Sequence, residues 1–235
     1  MIQSYQGMEQ ENKQPIVEAR QLTKQYRVGK NMITALDSVD IQIAQGEFVA
    51  ITGESGSGKS TLLQLIGCLD KPTSGNITVD GNDINRLGDT RLSILRSSTI
   101  GFIFQSFYLQ PFLRLEENIA VPAMFMGTKR KDIRSKTLSL LEEVGLTERS
   151  KHYPRELSGG QMQRAAIARA LINEPKILLA DEPTGNLDSK NSDLIINLLL
   201  SIRTHLGMTI VIVTHNQEIA RKADRIITLN DGRVV

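Results

Sequence analysis

Apolar and polar positions follow two rhythms along this 235-residue chain. Four short runs are apolar at nearly every position: EFVAIT from Glu47, IGFIF from Ile100, KILLA from Lys176 and TIVIVT from Thr209. Strands of that kind are covered on both faces, as in a parallel sheet. Between them the spacing is helical. Leu62, Leu63 and Ile66 share a face after Lys59. Ile133, Leu140, Leu141 and Val144 do the same, with Gly145 as a stop, and so do Met162, Ala166, Ile167 and Ala170. Nearer the start, Ile41, Ile43, Ile77 and Val79 sit in short alternating runs, which predicts a small antiparallel sheet beside the core. The predicted fold is α/β: a mainly parallel core, an N-terminal antiparallel β subdomain, and a helical subdomain inserted at about 106–157. Residues 1–14 are polar and read as a flexible tail, and residues 15–235 as a single domain.

Composition narrows this picture. At 40% apolar residues the chain is globular. No apolar run approaches the ~20 residues that cross a bilayer, and the tail lacks the apolar stretch of a secretory signal. A net charge of +2 is too small to argue for nucleic acid, and none is expected as a partner. The single cysteine, Cys68, excludes an internal disulfide and suits a reducing cytosol. It reads as a packing residue. Lys129, Arg130, Lys131, Arg134 and Lys136 read as the solvated face of a helix, with contact to lipid headgroups as the functional alternative. His152 and His205 read as surface residues.

Each apolar run ends at a residue capable of chemistry. The first meets Gly53, the second Gln105, the third Asp181 and Glu182, the fourth His215. In open α/β sheets ligands sit beyond the carboxyl ends of the strands, so one sheet edge should collect all of them. Gly53, Glu54, Ser55, Gly56, Ser57, Gly58, Lys59 and Ser60 match G-x-x-x-x-G-K-[ST]. Glycines there turn backbone N–H groups onto phosphate oxygens, and the helix after them adds its positive end. This makes the core a P-loop NTPase. Lys59 should reach the β- and γ-phosphates and Ser60 should bind Mg²⁺, with Thr61 next in the cofactor-binding run. Asp181 suits a water-mediated Mg²⁺ contact, and Glu182 suits general-base work on an attacking water.

A second motif, Leu157-Ser158-Gly159-Gly160-Gln161, has no task in an isolated phosphate cradle. Ser158 and Gln161 form a capping box opening a helix. Capping does not explain two glycines in a first turn, each costing up to ~1 kcal/mol against alanine, whereas close backbone approach to a ligand does. The motif makes sense if it is offered to the nucleotide of a second copy of the chain.

With these residues in place, the chain resembles the ATP-binding subunit of an ABC transporter. LSGGQ at 157–161 resembles that family's signature, and the segments 53–60 and 177–182 resemble its two Walker motifs. GCLDKPTSG from Gly67, IGFIFQ from Ile100, NIAVPA from Asn118 and ADEPTGNLDS from Ala180 resemble the macrolide-export and lipoprotein-releasing (MacB/LolD-type) branch. The resemblance implies that Tyr26 stacks on adenine and that Gln105 touches Mg²⁺ and senses the membrane partner. It implies that Asp188 contacts the opposite subunit and that His215 senses the γ-phosphate. Glu54 departs from the family, placing a carboxylate in the phosphate loop.

The resulting expectation is an ATPase using ATP and Mg²⁺, with Glu182, His215 and Gln105 as its catalytic residues. Its partners would be a second copy of itself, head to tail, and a separate transmembrane permease. Through that permease it would sit, cytoplasmic, on the inner face of the cell membrane. One alternative keeps the ATPase but transmits force across the membrane, as in cell division. Another is a soluble, non-transport cassette ATPase.

Overall fold

The computed structural model describes residues 15–235, so the expected tail at 1–14 lies outside the described residues. Two sheets organise the chain. In the first, β1 (Val17–Val28) lies between β2 (Asn31–Ile43) and β4 (Ser74–Val79), and β5 (Asn82–Asp83) closes the edge, all antiparallel. In the second, β10 (Arg233–Val234), β9 (Arg225–Asn230), β3 (Phe48–Gly53), β8 (Thr209–Val213), β7 (Ile177–Asp181) and β6 (Ile100–Phe104) lie side by side in that order. All its pairings are parallel except the β9–β10 hairpin.

Period-two geometry sorts each strand between two cores. Val49, Ile51, Leu179, Val211 and Val213 face the antiparallel sheet and α1 (Lys59–Ile66). Phe48, Ala50, Leu178, Ala180, Ile210 and Ile212 face α5 (Gly159–Leu171) and α6 (Ser189–Leu206). The central strands are therefore apolar on both sides, as their sequence required. A third cluster joins α3 (Leu115–Phe125) and α4 (Arg130–Glu143) to the back of α5 through Leu115, Ile119, Leu141, Ala165 and Ala168. The remaining helices are α2 (Asp89–Thr99), which leads into β6, and the single turn α7 (Gln217–Ala220).

The helical subdomain and both sheets match the sequence expectation, with two additions. β1 is twelve residues long and holds the centre of the antiparallel sheet, although VEARQLTKQYRV has no clean alternation. Its register shifts near Arg20–Thr23 and Lys24–Gln25 break the period. β9 also escapes a reading by pattern, because RIITLN is short and partly exposed, one strand in from the sheet edge.

Leu179 in β7 is fully buried, whereas Leu194 on α6 is 55% exposed. Leu179→Ala should cost ~2–5 kcal/mol and Leu194→Ala less than ~0.5 kcal/mol. Urea denaturation midpoints of the two variants measure the contrast.

Candidate functional site

Because β3, β6, β7 and β8 run parallel, their carboxyl ends share one edge. That edge holds the loop 53–58, Gln105, the Asp181–Glu182 pair and His215. In the loop, Gly58 caps α1 at φ +101°, and a Cβ there would lie 2.4 Å from the Ala35 carbonyl oxygen, so only glycine fits. Glu54 and Ser55 are exposed and Ser57 is buried. Gly56 has open space around it. The Lys59 Nζ donates to the carbonyls of Gly53 (3.0 Å) and Glu54 (2.6 Å). The loop thus holds its lysine through main-chain oxygens.

Glu182 takes a left-handed backbone, φ +47°, directly after β7. This turn separates two neighbouring carboxylates. The Asp181 carboxyl meets the Ser60 hydroxyl, and burial, followed by the charge of Glu182, raises its pKa. Lys59 and Ser60 oppose that rise. A pair of oxygen donors, one a carboxylate held short of full ease by burial, fits a hard cation such as Mg²⁺, which keeps several waters and needs few protein ligands. The Glu182 carboxylate instead lies 2.8 Å from the His215 Nδ1. The Glu182 side chain is 19% exposed and the His215 side chain 76%.

Gln105 is at this edge, but its amide is turned to the segment after Glu182. Its Nε2 is 3.4 Å from the Asn186 Oδ1, and the Asn186 Nδ2 donates to the Gln105 carbonyl at 2.9 Å. Asp188 caps α6, accepting from the Asn191 backbone at 2.9 Å and from its Nδ2 at 2.7 Å. The Asn191 amide hydrogen bonds hold the Asp188 carboxyl below the usual carboxylate range. Tyr26, on β1, is half-buried. Its hydroxyl donates to Asp70 at 3.0 Å, while Lys24 pairs with Asp70 at 2.7 Å and sits 4.9 Å from the ring centroid. Burial, then the Asp70 hydrogen bond, raises the phenol pKa, and Thr61 also touches the hydroxyl. Tyr26 is thereby tied to the start of α1.

The second motif opens α5 as expected. The Ser158 Oγ accepts from Gln161 N at 3.3 Å and the Gln161 Oε1 accepts from Ser158 N at 2.9 Å. That leaves the N–H groups of Gly159 and Gly160 at the helix end without an intrahelical acceptor. The glycines differ in cause. A Cβ on Gly160 would come 2.6 Å from the Asn191 Oδ1, so a larger residue there would have to displace the Asn191 side chain, a constraint from the chain itself beside any ligand approach. A Cβ on Gly159 meets nothing closer than 3.4 Å. The atoms nearest a Cβ on either glycine belong to Phe107, Asn186, Leu187 and Asn191.

Several residues outside the motifs shape this region. Arg169, on α5, donates to the carbonyls of Phe107 (2.8 Å) and Tyr108. Phe107 and Tyr108 have φ of +54° and +48°. Burial lowers the Arg169 pKa. Beside them an apolar groove of about 470 Å³ is lined by Leu69, Phe102, Phe104, Val121 and Phe125, the last 87% exposed. Gln163, also on α5, donates to the Pro183 carbonyl at 2.7 Å. Sequence reasoning missed Arg169 and Gln163. The only signal was a basic and an amide side chain on an otherwise apolar helix face. Cys68 is buried, and burial pushes its thiol up to about 11. His205 is exposed, and His152 lies beside Arg149. On α4, Arg130, Lys131 and Arg134 are exposed and Lys136 pairs with Glu174 at 2.7 Å. No helix among the described residues is long and apolar enough to cross a membrane.

With this geometry established, comparison with known proteins is specific. The ABC transporter family model matches residues 36–185. The lipoprotein-releasing system ATP-binding protein LolD of Geobacter metallireducens is 47% identical over 94% of this chain and 98% of its own length. The macrolide export ATP-binding/permease protein MacB of Chlorobaculum tepidum is also 47% identical over 94% of this chain, which spans only 34% of that longer relative. Among solved structures, the dimeric post-hydrolysis state of the ATP-binding cassette MJ0796, bound to ADP and Pi, matches with a TM-score of 0.86 and 45% identity. That match covers 93% of this chain and 96% of that one.

A raised Asp181 pKa makes its ionised form a burden on the nucleotide-free fold. The fold is free of that burden below the ordinary Asp pKa and bears it fully once pH has risen through the raised value. Asp181→Asn should therefore raise the melting temperature at pH 7. The gain should shrink toward zero below about pH 4. Thermal melts across pH check both.

Proposed function

Because the chain belongs to the ABC transporter family, we propose that it is the ATP-hydrolysing nucleotide-binding subunit of a separate membrane-embedded permease, with two copies clamped head to tail around two ATP molecules. The observation that carries the shared site is the open amino end of α5 at Gly159 and Gly160: the atoms nearest a Cβ on either belong to residues 107, 186–187 and 191 rather than to the loop 53–60. Their free amides, at the positive end of α5, suit the terminal phosphate of a nucleotide held by another copy. Dimeric MJ0796 bound to ADP and Pi supports the same arrangement.

Within one copy, residues 53–61 cradle the phosphates. Lys59 exchanges its two carbonyl partners for β- and γ-phosphate oxygens. Exposed Glu54 stays in solvent and leaves the cradle to the backbone. The ring of Tyr26, braced through Asp70, offers its free face to adenine. Ser60 and Asp181 would hold Mg²⁺, with Gln105 joining them once it leaves Asn186. Magnesium would supply positive charge that offsets the negative charge of the phosphates and of the transition state. Glu182 takes the proton from the attacking water, and His215, 2.8 Å away, keeps that carboxylate oriented. Asp188 and its α6 cap present a rigid corner to the second copy.

LolD and MacB as relatives favour the lipoprotein-releasing and macrolide-export branch. The apolar groove beside Tyr108 and Phe125 offers the permease a contact next to Gln105. Such docking places the subunit on the cytoplasmic face of the membrane.

Glu182→Gln should lower turnover by at least ~100-fold, the scale of general-base catalysis, while retaining ATP and accumulating as a dimer. Light scattering with ATP·Mg²⁺ reads this, and a strict monomer would count against the shared site. Ser158→Arg should keep nucleotide affinity within about twofold and stop hydrolysis, since uniform binding and transition-state chemistry separate in such a variant. Lost affinity would mean that the motif serves its own copy's nucleotide.

A further inference from the structure

Gln163 is fully buried on α5, at 0% exposure, on a helix whose buried residues are otherwise mostly apolar, Ala165, Ala166 and Ile167 among them. Its Nε2 donates to the Pro183 carbonyl at 2.7 Å, and its Oε1 has no hydrogen-bond partner. An unmatched buried acceptor is unfavourable. An amide that leaves half its polar capacity unmet is a poor choice for stability alone, so the single bond it makes needs another explanation.

Pro183 directly follows Glu182, whose φ of +47° is strained for a residue with a long side chain. Strain of this kind persists where the surroundings over-determine the backbone. Three hydrogen bonds do so here. Glu182 N donates to the Val213 carbonyl at 3.0 Å, Gly185 N donates to the Glu182 carbonyl at 3.0 Å, and Gln163 holds the carbonyl one residue on. The first two belong to β8 and to the turn itself. Only the third comes from α5, the helix whose amino end carries Ser158, Gly159 and Gly160.

We infer that Gln163 is a positioning residue that ties the backbone of Glu182 to α5. The inference rests on the general-base reading of Glu182 and extends it. Each copy's α5 would be seated by the other copy's nucleotide, and through Gln163 that seating would set the carboxylate facing its own nucleotide. One chain would thus link the two halves of two different sites, and a poorly seated α5 would leave Glu182 misaligned.

The test compares Gln163→Met, which keeps volume but cannot donate, with the unsubstituted chain, both shown folded at the assay temperature by thermal melts. The expected result is a fall of about tenfold in kcat, with KM and fluorescent-ATP affinity within twofold, the split that marks lost transition-state alignment. In a Glu182→Gln background the same substitution should still give an ATP-dependent dimer. Gln163→Glu supplies the second measurement. Its carboxyl donates to the Pro183 carbonyl only while protonated, so its kcat relative to the unsubstituted chain should fall as pH rises. An unchanged kcat in Gln163→Met, or a ratio flat with pH in Gln163→Glu while both proteins stay folded, overturns the inference. Failure of the parent reading would look different, as Glu182→Gln would itself keep its turnover.

Discussion

The whole arrangement depends on a sheet whose central strands are closed to water on both faces. β3, β7 and β8 have almost every residue buried, one set against α1 and the antiparallel sheet and the other against α5 and α6. No side chain inside such strands is free for chemistry. Parallel pairing then leaves one place where several strands release polar residues together, their common carboxyl edge. Loop 53–58, Asp181, Glu182 and His215 lie there because the core excludes them from anywhere else.

α5 is the second organising element. One side packs on the parallel sheet through Ile167 and Leu171, and the other on α3 and α4 through Ala165 and Ala168. Its small residues let it sit between two layers. From that position it reaches two loops that leave the sheet edge: Gln163 holds the one after β7 and Arg169 the one after β6. A rigid helix bearing a free amino end thus touches both the loop that carries Glu182 and the wall of the apolar groove.

Much of this was legible in the sequence, and the reasons are local. Continuous apolar runs mark doubly covered strands without knowledge of their partners, and the glycine-rich loop and capping box are set by spacing within eight residues. What stayed hidden depends on distant contacts. β1 follows its neighbours rather than its own alternation, because bulges interrupt it. The crowding at Gly160 comes from the side chain of Asn191, thirty-one residues on in sequence but adjacent in space. The turn of Gln105 toward Asn186 is likewise invisible until the strands are aligned. The pairing of Tyr26, Lys24 and Asp70 joins β1 to the segment after α1, and no periodicity announces it.

Arg169 carries one further consequence. Its guanidinium is held by two main-chain carbonyls, those of Phe107 and Tyr108, and not by a carboxylate. Surface pairs such as Arg203–Asp224 weaken as mobile ions crowd around them. A half-buried cation resting on peptide dipoles is shielded less. The wall of the groove should therefore keep its shape across brines that loosen the protein's outer ion pairs, so that a docking partner meets the same surface whatever the ionic strength of its surroundings.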